Sequence, residues 1–334
     1  MPDQPYKPDL DNLLHGFWYS RILFAGQEIG VFDYLADGAR TAEKIADALR
    51  IDYGPMEILL NALTALDLLQ KSGDRYALNP ELEDGLVTSR PGSKASMMAH
   101  LSHMWSSWGR LDEVLRKGRS RFSEGQDVPP QDTERIRFFI KAMYEASQEA
   151  AEELARRLDL ANVERMLDLG GGSGSYCIAL ARRKPSLRAT VFDRPLSLEV
   201  AREFIAAAGM EEQVDTHSGD ALRDNLGTGY DLVLISQLLH AYSPDSNARI
   251  VAKGAQALAP GGLLIINDFA LNEDRASPRH AAVFAVNMLV NTEAGRTYTV
   301  AEVTQWMVNA GLGQIRTEDL LSRSTLFYGL KRLV

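Results

Sequence analysis

Residues 166–174 read Met-Leu-Asp-Leu-Gly-Gly-Gly-Ser-Gly, and this stretch sets the architecture of the chain. The apolar side chains before Gly170 predict a short strand, and the glycines that follow predict a tight turn. Glycine is needed where the backbone takes a positive φ or comes into contact with a ligand. A helical pattern begins near Tyr176, and the first N–H groups of a helix are free to bind a polar ligand. The stretch therefore predicts a strand, a ligand-binding turn and a helix.

The spacing of these glycines distinguishes two classes of cofactor. A dinucleotide site requires Gly-x-Gly-x-x-Gly, but the residue that would complete this pattern is Ser175 or Cys177, depending on the first glycine chosen. The spacing found between Asp168 and Gly174 is Asp-x-Gly-x-Gly-x-Gly. It resembles the first motif of S-adenosylmethionine-dependent methyltransferases, in which the acidic residue sits near the amino acid end of the cofactor. The alternative is a glycine-rich turn without a ligand.

The chain beyond this motif alternates between strands and helices, which is typical of a doubly wound α/β sheet. Further strands are predicted at 189–193, 214–220, 231–236 and 263–268, with helices at 198–208 and 247–258. The last two strands, 314–319 and 324–331, are separated by so few residues that they must pair as an antiparallel hairpin. The predicted fold is a Rossmann-like parallel sheet with an antiparallel edge strand.

Polar side chains fall where the predicted strands end. In a doubly wound sheet, ligands bind at the carboxyl ends of the strands. The residues at or just past these ends are Asp168, Asp193, Asp220, Ser236, His240 and Asp268. Asp193 follows the glycine motif at the distance where a carboxylate can accept hydrogen bonds from both hydroxyls of a ribose. A turn-forming role explains any one of these carboxylates, but it does not explain four at one edge of the sheet.

The first half of the chain is predicted to be helical with a small hairpin. The predicted elements are a helix at 42–49 capped by Thr41, a helix at 55–69 and a hairpin at 68–78. Helices followed by a hairpin are typical of a winged helix, which often binds DNA. The second helix, however, carries Glu57 and Asp67 and neither Lys nor Arg, which disfavours contact with phosphates. A domain for dimerisation and for covering the substrate is the preferred interpretation.

Three segments are therefore expected along the chain. Residues 1–115 form the winged-helix-like domain, residues 116–158 form a linker and a connecting helix, and residues 159–334 form the catalytic domain. The linker prediction rests on the polar stretch 117–131, which is rich in Gly and Pro. The connecting helix is predicted at 132–158.

These motifs together resemble the small-molecule O-methyltransferases, a family that includes plant caffeate and flavonoid enzymes, acetylserotonin enzymes and many bacterial natural-product enzymes. Besides the glycine motif, the resemblance rests on Phe192-Asp193, Ser218-Gly219-Asp220, Leu239-His240 and Pro260-Gly261-Gly262, in the order and register of that family. It covers nearly the whole chain, including the winged-helix-like half. It implies an enzyme that uses S-adenosylmethionine to methylate a hydroxyl of a small aromatic or polycyclic metabolite, and a homodimer formed through the first domain.

The resemblance also implies roles for individual residues. In that family a histidine at the position of His240 is the general base, and a carboxylate at the position of Asp268 orients it. Such a base is needed because a neutral hydroxyl is a poor nucleophile, and a free imidazole titrates near ~6.5. The other assignments are Asp168, Gly170, Gly172, Asp193, Asp220, Ala221, Ser236 and Met143 for the cofactor, and Met288, Asn291 and Trp105 for the substrate.

The chain departs from the family pattern at two positions. Tyr242 stands two residues after the histidine, where the family usually has Trp. Gly295 stands where the plant enzymes carry a second helper acid, and Glu293 is the candidate replacement. A place in the helix core explains Met288 equally well, and it is the preferred explanation for Trp105, because Met and aromatic side chains serve both purposes.

Composition disfavours several classes of protein. Of the 334 residues, 45% are hydrophobic and 24% are charged, which is typical of a globular chain. The net charge of −9 disfavours nucleic-acid binding, no apolar run has the length of a membrane span, and the N-terminus lacks a signal-peptide pattern. The single cysteine disfavours disulfides and Cys-rich zinc sites, and His100 with His103 lacks a third ligand. A cytoplasmic enzyme without a metal site is expected.

Three other functions remain open. A relative that binds the cofactor but has lost methyl transfer would carry out hydroxylation or decarboxylation, and the presence of both His240 and Asp268 disfavours it. Methyl transfer to nitrogen or carbon uses the same motifs. A winged-helix transcriptional regulator is disfavoured by the acidic second helix. The identity of the substrate depends on the shape of a pocket and is not predicted.

Overall fold

The computed structural model describes residues 9–118 and 133–333, and the chain divides into two compact units, Met1–Trp105 and Ser106–Val334. Most of the predicted linker at 117–131 lies outside the described residues. The division falls before the domain boundary predicted at residue 115. The connecting helix predicted at 132–158 is observed at Thr133–Arg157, within the second unit.

The first unit consists of helices and a small antiparallel sheet. Its helices are α1 (Leu10–Ile29), α2 (Val31–Leu35), α3 (Ala42–Leu49), α4 (Tyr53–Ala65), α5 (Glu83–Leu86) and α6 (Ala95–His103), and its strands are β1 (Arg40–Thr41), β2 (Leu69–Ser72) and β3 (Arg75–Leu78). Helix α7 (Trp105–Trp108) spans the division between the units.

The predicted winged-helix elements are confirmed in this unit. Helix α3 begins where the Thr41 hydroxyl accepts the N–H of Lys44 at 3.5 Å, as expected for a capping residue. Strands β2 and β3 form the predicted hairpin, and β1 pairs with β3. Helix α4 begins and ends earlier than the predicted 55–69, because Leu69 is already paired as the first residue of β2.

The second unit is a sheet flanked by helices. Its helices are α8 (Leu111–Lys117), α9 (Thr133–Arg157), α10 (Ser175–Arg183), α11 (Pro195–Ala207), α12 (Pro244–Ala257), α13 (Arg279–Asn291) and α14 (Val300–Asn309). Its strands are β4 (Arg165–Leu169), β5 (Arg188–Asp193), β6 (Val214–Ser218), β7 (Tyr230–Ser236), β8 (Leu258–Asp268), β9 (Ala270–Leu271), β10 (Tyr298–Thr299), β11 (Leu312–Leu320) and β12 (Ser324–Lys331). A single 3₁₀ turn, Leu239–Ala241, follows β7.

The sheet has the doubly wound topology predicted from the sequence. Within the described residues its strand order is β11-β12-β8-β7-β4-β5-β6, and the strands from β8 to β6 are parallel. Strand β12 runs antiparallel to both β8 and β11, so the antiparallel pairing lies at one edge, as predicted. Two apolar cores form, one on each face, because strands buried on both faces carry near-continuous apolar runs.

The register of the parallel strands brings their carboxyl ends to one edge. Asp193 pairs with Ser218, and Ser236 pairs with Asn267. Strand β8 begins at Leu258, which the sequence had placed at the end of the preceding helix; that helix, α12, ends at Ala257. This edge therefore collects the polar residues that the sequence predicted for a ligand site.

Candidate active site

The glycine turn between β4 and α10 is shaped by contact with a distant segment of the chain. Gly170 has a φ of 74°, and a Cβ built on it would lie 2.7 Å from a methyl carbon of Leu238. Its N–H donates to the carbonyl of Phe192 at 2.8 Å. Glycine is required here because an L side chain fits neither this backbone conformation nor this space. The contact also places the segment that leads to His240 directly against the turn.

Two carboxylates follow at the ends of the next strands. One oxygen of Asp193 accepts the N–H of Gly172 at 2.8 Å, and the other accepts the N–H of the following residue at 2.6 Å. Asp220 closes its own turn by accepting the N–H of Leu222 at 2.8 Å, and Ala221 between them is buried. A carboxylate oxygen has two lone pairs, so both side chains retain acceptor capacity for ligand hydroxyl or amino groups.

Asp168 lies completely buried beneath the turn. Its Oδ2 is 3.8 Å from the Sγ atom of Cys177, and its Oδ1 has no hydrogen-bond partner among the described residues. Burial, with the nearby carboxylate of Asp193 as a second cause, raises the pKa of Asp168 to about 7. A cationic ligand group near this carboxyl would favour its ionised form, which makes the position suited to a positively charged ligand.

A buried amide links the ends of β7 and β8. The Nδ2 group of Asn267 donates to the hydroxyls of Ser236 at 3.0 Å and Tyr176 at 2.9 Å, and its Oδ1 accepts the hydroxyl of Ser324 at 2.6 Å. Every hydrogen-bonding group of this amide is paired, as a buried polar side chain requires. Ser236, which was predicted to contact the cofactor, is thereby joined to the helix that follows the glycine turn.

His240 and Asp268 form a buried pair, as predicted from positions far apart in the sequence. The Nδ1 atom of His240 is 2.7 Å from Oδ1 of Asp268, and the two side chains are 12% and 7% exposed. The second oxygen of Asp268 accepts the backbone N–H of His240 at 3.3 Å. When Nδ1 donates its proton to the carboxylate, Nε2 keeps a lone pair and can accept a proton. The pair therefore has the arrangement of an oriented general base.

Two phenylalanine rings lie next to the imidazole of His240. Phe284 of α13 meets it edge to face, with ring centroids 4.9 Å apart, and Phe269 lies roughly parallel to it at 6.1 Å. The two phenylalanines also contact each other, with centroids 4.7 Å apart. Such a wall excludes water from the imidazole and presents apolar faces to a flat ligand.

Tyr242 follows the base by two residues, and its phenol is partly buried. Burial is the largest cause that raises the pKa of Tyr242, and the carboxylates of Asp220 and Asp193 raise it further, while Arg194 acts in the opposite direction. Tyr242 retains an aromatic ring at the position where the family usually has Trp.

Gly295 packs against the backbone of the turn that carries the base. A Cβ on Gly295 would overlap the carbonyl oxygen of His240, and the Gly295 N–H donates to the hydroxyl of Thr292 at 2.8 Å. An acidic side chain does not fit at this position. Glu293 is exposed, and none of the hydrogen bonds in the described part of the chain joins it to His240. Its role as a second acid stays a prediction.

The predicted substrate residues on α13 are held by side-chain amides. Met288 is buried, and the Oδ1 atom of Asn291 accepts the hydroxyl of Ser107 at 2.6 Å. The Oδ1 atom of Asn287 accepts both the Nδ2 group of Asn291 at 2.8 Å and the indole N–H of Trp108 at 3.0 Å. Helix α13 is therefore fixed to the α7–α8 segment, and the substrate contacts of Met288 and Asn291 stay predictions.

The two remaining predicted residues lie on other elements. Met143 is half buried on α9, three residues after Ile140, whose Cδ1 lies 3.9 Å from where a Cβ on Gly172 would stand. Helix α9 therefore runs beside the glycine turn. Trp105 belongs to the first unit, where its ring centroid is 6.4 Å from that of Phe17. The roles of Met143 and Trp105 also stay predictions.

The sequence analysis did not single out Asn247 or Asn267. Asn247 lies three and four residues before the buried Ile250 and Val251, on the apolar stripe of α12. Asn267 ends the apolar run of β8, directly before the predicted orienting carboxylate. A polar side chain in an apolar stripe signals an internal hydrogen bond. The signal was present in the sequence, but the identity of the partner was not.

No group of three or more His, Cys, Asp or Glu side chains within 9–118 and 133–333 is placed to hold a metal ion. No helix in the same ranges is both long and apolar enough to cross a membrane.

Comparison with known proteins identifies two conserved domains and several relatives. Residues 108–313 match the O-methyltransferase domain, and residues 11–81 match the O-methyltransferase dimerisation domain. The chain is 36% identical to 3-hydroxy-5-methyl-1-naphthoate 3-O-methyltransferase of Streptomyces sahachiroi, over 92% of this chain and 90% of that protein. It is 32% identical to the N,N-dimethyltransferase OxyT of Streptomyces rimosus, over 77% and 76%.

A solved structure agrees with these matches. Human N-acetylserotonin methyltransferase in complex with S-adenosylmethionine superposes with a TM-score of 0.87 and 26% identity, over 99% of this chain and all of that one. The fold, the position of the glycine turn and the sequence matches point to the same conclusion. This chain belongs to the family of S-adenosylmethionine-dependent O-methyltransferases.

Proposed function

We propose that this enzyme transfers a methyl group to a hydroxyl oxygen of a small aromatic or polycyclic metabolite, with His240 as general base and Asp268 as its orienting partner. The observation that carries the proposal is the 2.7 Å contact between Nδ1 of His240 and Oδ1 of Asp268, in a buried site walled by aromatic rings. The Nε2 atom of His240 is the group that takes the proton.

The residues at the strand ends fit S-adenosylmethionine. Gly170 has no room for a side chain and Gly172 has a φ of 51°, so the backbone of this turn is free of side chains and can approach a ligand closely. Asp193 and Asp220 offer hydrogen-bond acceptors for ribose and adenine groups. The carboxyl of Asp168 lies beneath the same turn, and its Oδ1 has no partner among the described residues. A cationic ligand group at the turn would favour the ionised form of this carboxyl. We assign these residues to the cofactor, with Ala221 and Ser236 beside them.

The chain's own residues account for the movement of the proton. When bound, S-adenosylmethionine supplies the methyl group and takes up the electron pair of the carbon–sulfur bond that breaks. His240 accepts the proton of the acceptor hydroxyl as the new oxygen–carbon bond forms, and Asp268 stabilises the imidazolium that results. Base catalysis of this kind contributes typically ~10²–10⁴-fold. The aromatic wall keeps water out, so alignment of the reacting atoms contributes as well.

The substrate class follows from the surroundings of the base. Phe269 and Phe284 line one side of the imidazole, and the buried Met288 lies one helical turn beyond Phe284 on α13. Flat apolar faces next to a single base select a flat apolar acceptor with one correctly placed hydroxyl. The relative that acts on a hydroxynaphthoate, at 36% identity, supports an acceptor of this size.

The first unit is proposed to form a homodimer through α1, in accordance with the dimerisation domain matched there. One stripe of α1 is apolar and more than half exposed, and it consists of Leu10, Leu13, Leu14, Phe17 and Trp18. An apolar stripe of this extent is typical of a protein interface. We expect Phe17→Glu to shift the protein to monomer in sedimentation experiments, whereas Val308→Glu, an exposed apolar control on α14, leaves the dimer intact. A dimeric Phe17→Glu protein would contradict this assignment.

Methyl transfer to nitrogen is a second candidate function, because OxyT, at 32% identity, is an N,N-dimethyltransferase. The two functions differ in their need for a base: an oxygen acceptor must lose its proton as it attacks, whereas a neutral amine already carries a free electron pair. A cytoplasmic location is proposed with either function.

The test is a comparison of acceptors with the parent enzyme and with His240→Ala. A panel of naphthols and of aryl amines is incubated with methyl-labelled S-adenosylmethionine. We expect label in the naphthols, a loss of ~10²-fold or more in His240→Ala, and cofactor affinity within about twofold of the parent by calorimetry. Labelling confined to amines would support the second candidate, and unchanged turnover in His240→Ala would refute the role of His240.

A further inference from the structure

The buried side-chain amide of Asn247 binds the backbone of the turn that carries His240. The Nδ2 group of Asn247 donates to the carbonyl of Leu239 at 2.9 Å and lies 3.4 Å from the carbonyl of Tyr242. These two carbonyls lie before and after His240 in the chain, one in the first residue of the turn Leu239–Ala241 and one directly after the turn, so a single side chain bridges it. Asn247 is completely buried.

Burying an amide at this position costs free energy, and its hydrogen bonds must offset that cost. The neighbours of Asn247 along the buried stripe of α12 are Ile250, Val251 and Gly254. Its Oδ1 atom has no partner among the described residues, so half of the amide is buried without compensation. Among the described residues, the side chain of Asn247 donates hydrogen bonds only to the backbone carbonyls next to His240. An apolar side chain would fill the stripe without this cost.

Other contacts restrain the same turn from different directions. The hydroxyl of Tyr298 donates to the carbonyl of Tyr242, which Asn247 also approaches. Gly295 packs against the carbonyl of His240, and Asp268 accepts the backbone N–H of His240 at 3.3 Å. The backbone of the turn is therefore fixed at several of its polar groups, and Asn247 supplies the bond that lies entirely inside the core.

We propose that Asn247 is a positioning residue for His240. By holding the carbonyls on both sides of the turn, its amide fixes the backbone from which the imidazole projects, and so fixes the line between Nε2 and the acceptor oxygen. The proposal rests on the proposed role of His240 as base. Asn247 does not meet the substrate; it acts through the turn.

The size of the effect follows from the geometry of proton transfer. A general base must lie within about 2.6–3.2 Å of the proton-bearing oxygen, and a misplacement of about 1 Å costs on the order of 10²-fold in rate. Loosening the turn is therefore expected to lower the turnover number by about 10-fold to 100-fold, with little change in the binding of the cofactor, whose proposed site is centred on the glycine turn and the carboxylates at or just past the ends of β5 and β6.

The experiment uses Asn247→Leu, which removes the donors and keeps a side chain of similar size. A matched control is Asn79→Leu, because Asn79 also donates its amide to a backbone carbonyl, that of Asp67 at 2.7 Å, but in the first unit. Each protein is assayed with 2-naphthol, whose hydroxyl is protonated at neutral pH, and with a nitronaphthol that is already ionised and needs no base.

The ratio of the two rates separates positioning from damage to the fold. If Asn247 positions the base, the variant loses about 10-fold or more with 2-naphthol and less than about threefold with the ionised acceptor, while Asn79→Leu keeps the parent ratio. The ratio does not depend on the fraction of folded protein. An equal loss with both acceptors, or no loss with either, would overturn the proposal.

His240→Ala, assayed in parallel, distinguishes a failure of His240 as base from a failure of Asn247 as positioning residue. Full turnover in His240→Ala would overturn the role of the base and this proposal together. A loss in His240→Ala that shows the expected acceptor dependence, with none in Asn247→Leu, would overturn the role of Asn247 alone. A greater loss with 2-naphthol than with the ionised acceptor in both variants, with the smaller difference in Asn247→Leu, supports the role of Asn247.

Discussion

The cofactor side and the base side of the active site are built in different ways. On the cofactor side, Asp168 and the glycines lie within one turn, and Asp193 reaches that turn through a backbone N–H at 2.8 Å. On the base side, His240 follows β7, Asp268 ends β8, and Phe284 and Gly295 come from still later segments. Asp168 and the glycine turn are local in the sequence, whereas Asp193 and the whole of the base side are brought into place by the tertiary fold.

Because of this difference, substitutions on the two sides are expected to affect cofactor binding and turnover separately. Changes on the cofactor side alter backbone and carboxylate contacts that hold a ligand in its ground state. Changes on the base side alter a proton transfer that takes place only in the transition state. The two sides meet at Gly170, which contacts Leu238, and at Ser236, which is bonded to Asn267.

The largest effect is expected for Asp268→Asn on the base side. The amide keeps the size of the carboxylate but can donate to Nδ1, which favours the wrong tautomer of His240 and leaves no stabiliser for the imidazolium. Turnover should fall by about 10²–10⁴-fold, with cofactor affinity within about threefold of the parent. Single-turnover rates and calorimetric titration measure the two quantities. A comparable loss of cofactor affinity in Asp268→Asn would contradict the separation of cofactor binding from turnover.

The next largest effect concerns the stability of the ligand-free protein and Asp168. The pKa of Asp168 is raised to about 7 in the folded state, so the folded protein keeps a proton that the unfolded chain has released. The free energy of unfolding should therefore fall as the pH rises from the usual carboxyl range to about 7. Above that range the loss is complete, on the order of 4 kcal/mol.

Asp168→Asn cannot ionise and should lack this dependence. The difference in unfolding free energy between Asp168→Asn and the parent should grow in favour of the variant as the pH is raised across this window, as measured by urea denaturation. Asp215→Asn, which replaces an exposed carboxylate on β6, serves as a control that should follow the parent. A constant difference for Asp168→Asn would show that Asp168 is ionised in the folded protein throughout.

A smaller effect is expected for Asp193→Ala on the cofactor side. The change removes the acceptor of the Gly172 N–H and the proposed acceptor of the ribose. Cofactor affinity should weaken by about 1–3 kcal/mol, the cost of leaving buried polar partners unpaired. At saturating cofactor the turnover number should stay within a few-fold of the parent. Calorimetric affinity equal to that of the parent would remove Asp193 from the cofactor site.

The smallest effect is expected for Ser236→Ala, where the two sides meet. The change leaves one N–H of Asn267 without its 3.0 Å acceptor, at a cost of about 1 kcal/mol in unfolding free energy. Turnover and affinity should both change by less than about threefold, because Asn267 keeps its bonds to Tyr176 and Ser324. Thermal unfolding checks the first value and steady-state kinetics the second. A loss of turnover alone would mean that this junction belongs to the base side.

Much of the fold follows from spacing in the sequence. The connecting helix, the hairpin at β2 and β3 and the parallel strands were predicted because apolar periodicity and turn residues are local properties. The boundaries of α4 and of α12 were less accurate, because Leu69 and Leu258 satisfy helix and strand patterns equally and the pairing of the strands settles them.

The candidate site was predictable to a similar extent. His240, Asp268 and the carboxylates could be placed at strand ends, and the family resemblance assigned their roles. Asn247 entered the sequence prediction only as the first residue of the helix at 247–258, with no partner assigned to its side chain. Its actual partners, the carbonyls of the preceding turn, are set by how α12 packs.

The glycine turn, the class of cofactor and the alternation of strands and helices were determined by the amino-acid sequence alone, because each depends on residues within a few positions of one another. The packed fold settled which distant groups touch: the imidazole of His240 against Asp268, the wall of phenylalanines, the glycine at 295 that leaves no room for an acid, and the buried amide of Asn247. The physical reason is that proton transfer depends on distances of a few ångströms between residues far apart in the chain, and only the packing of helices on the sheet sets those distances.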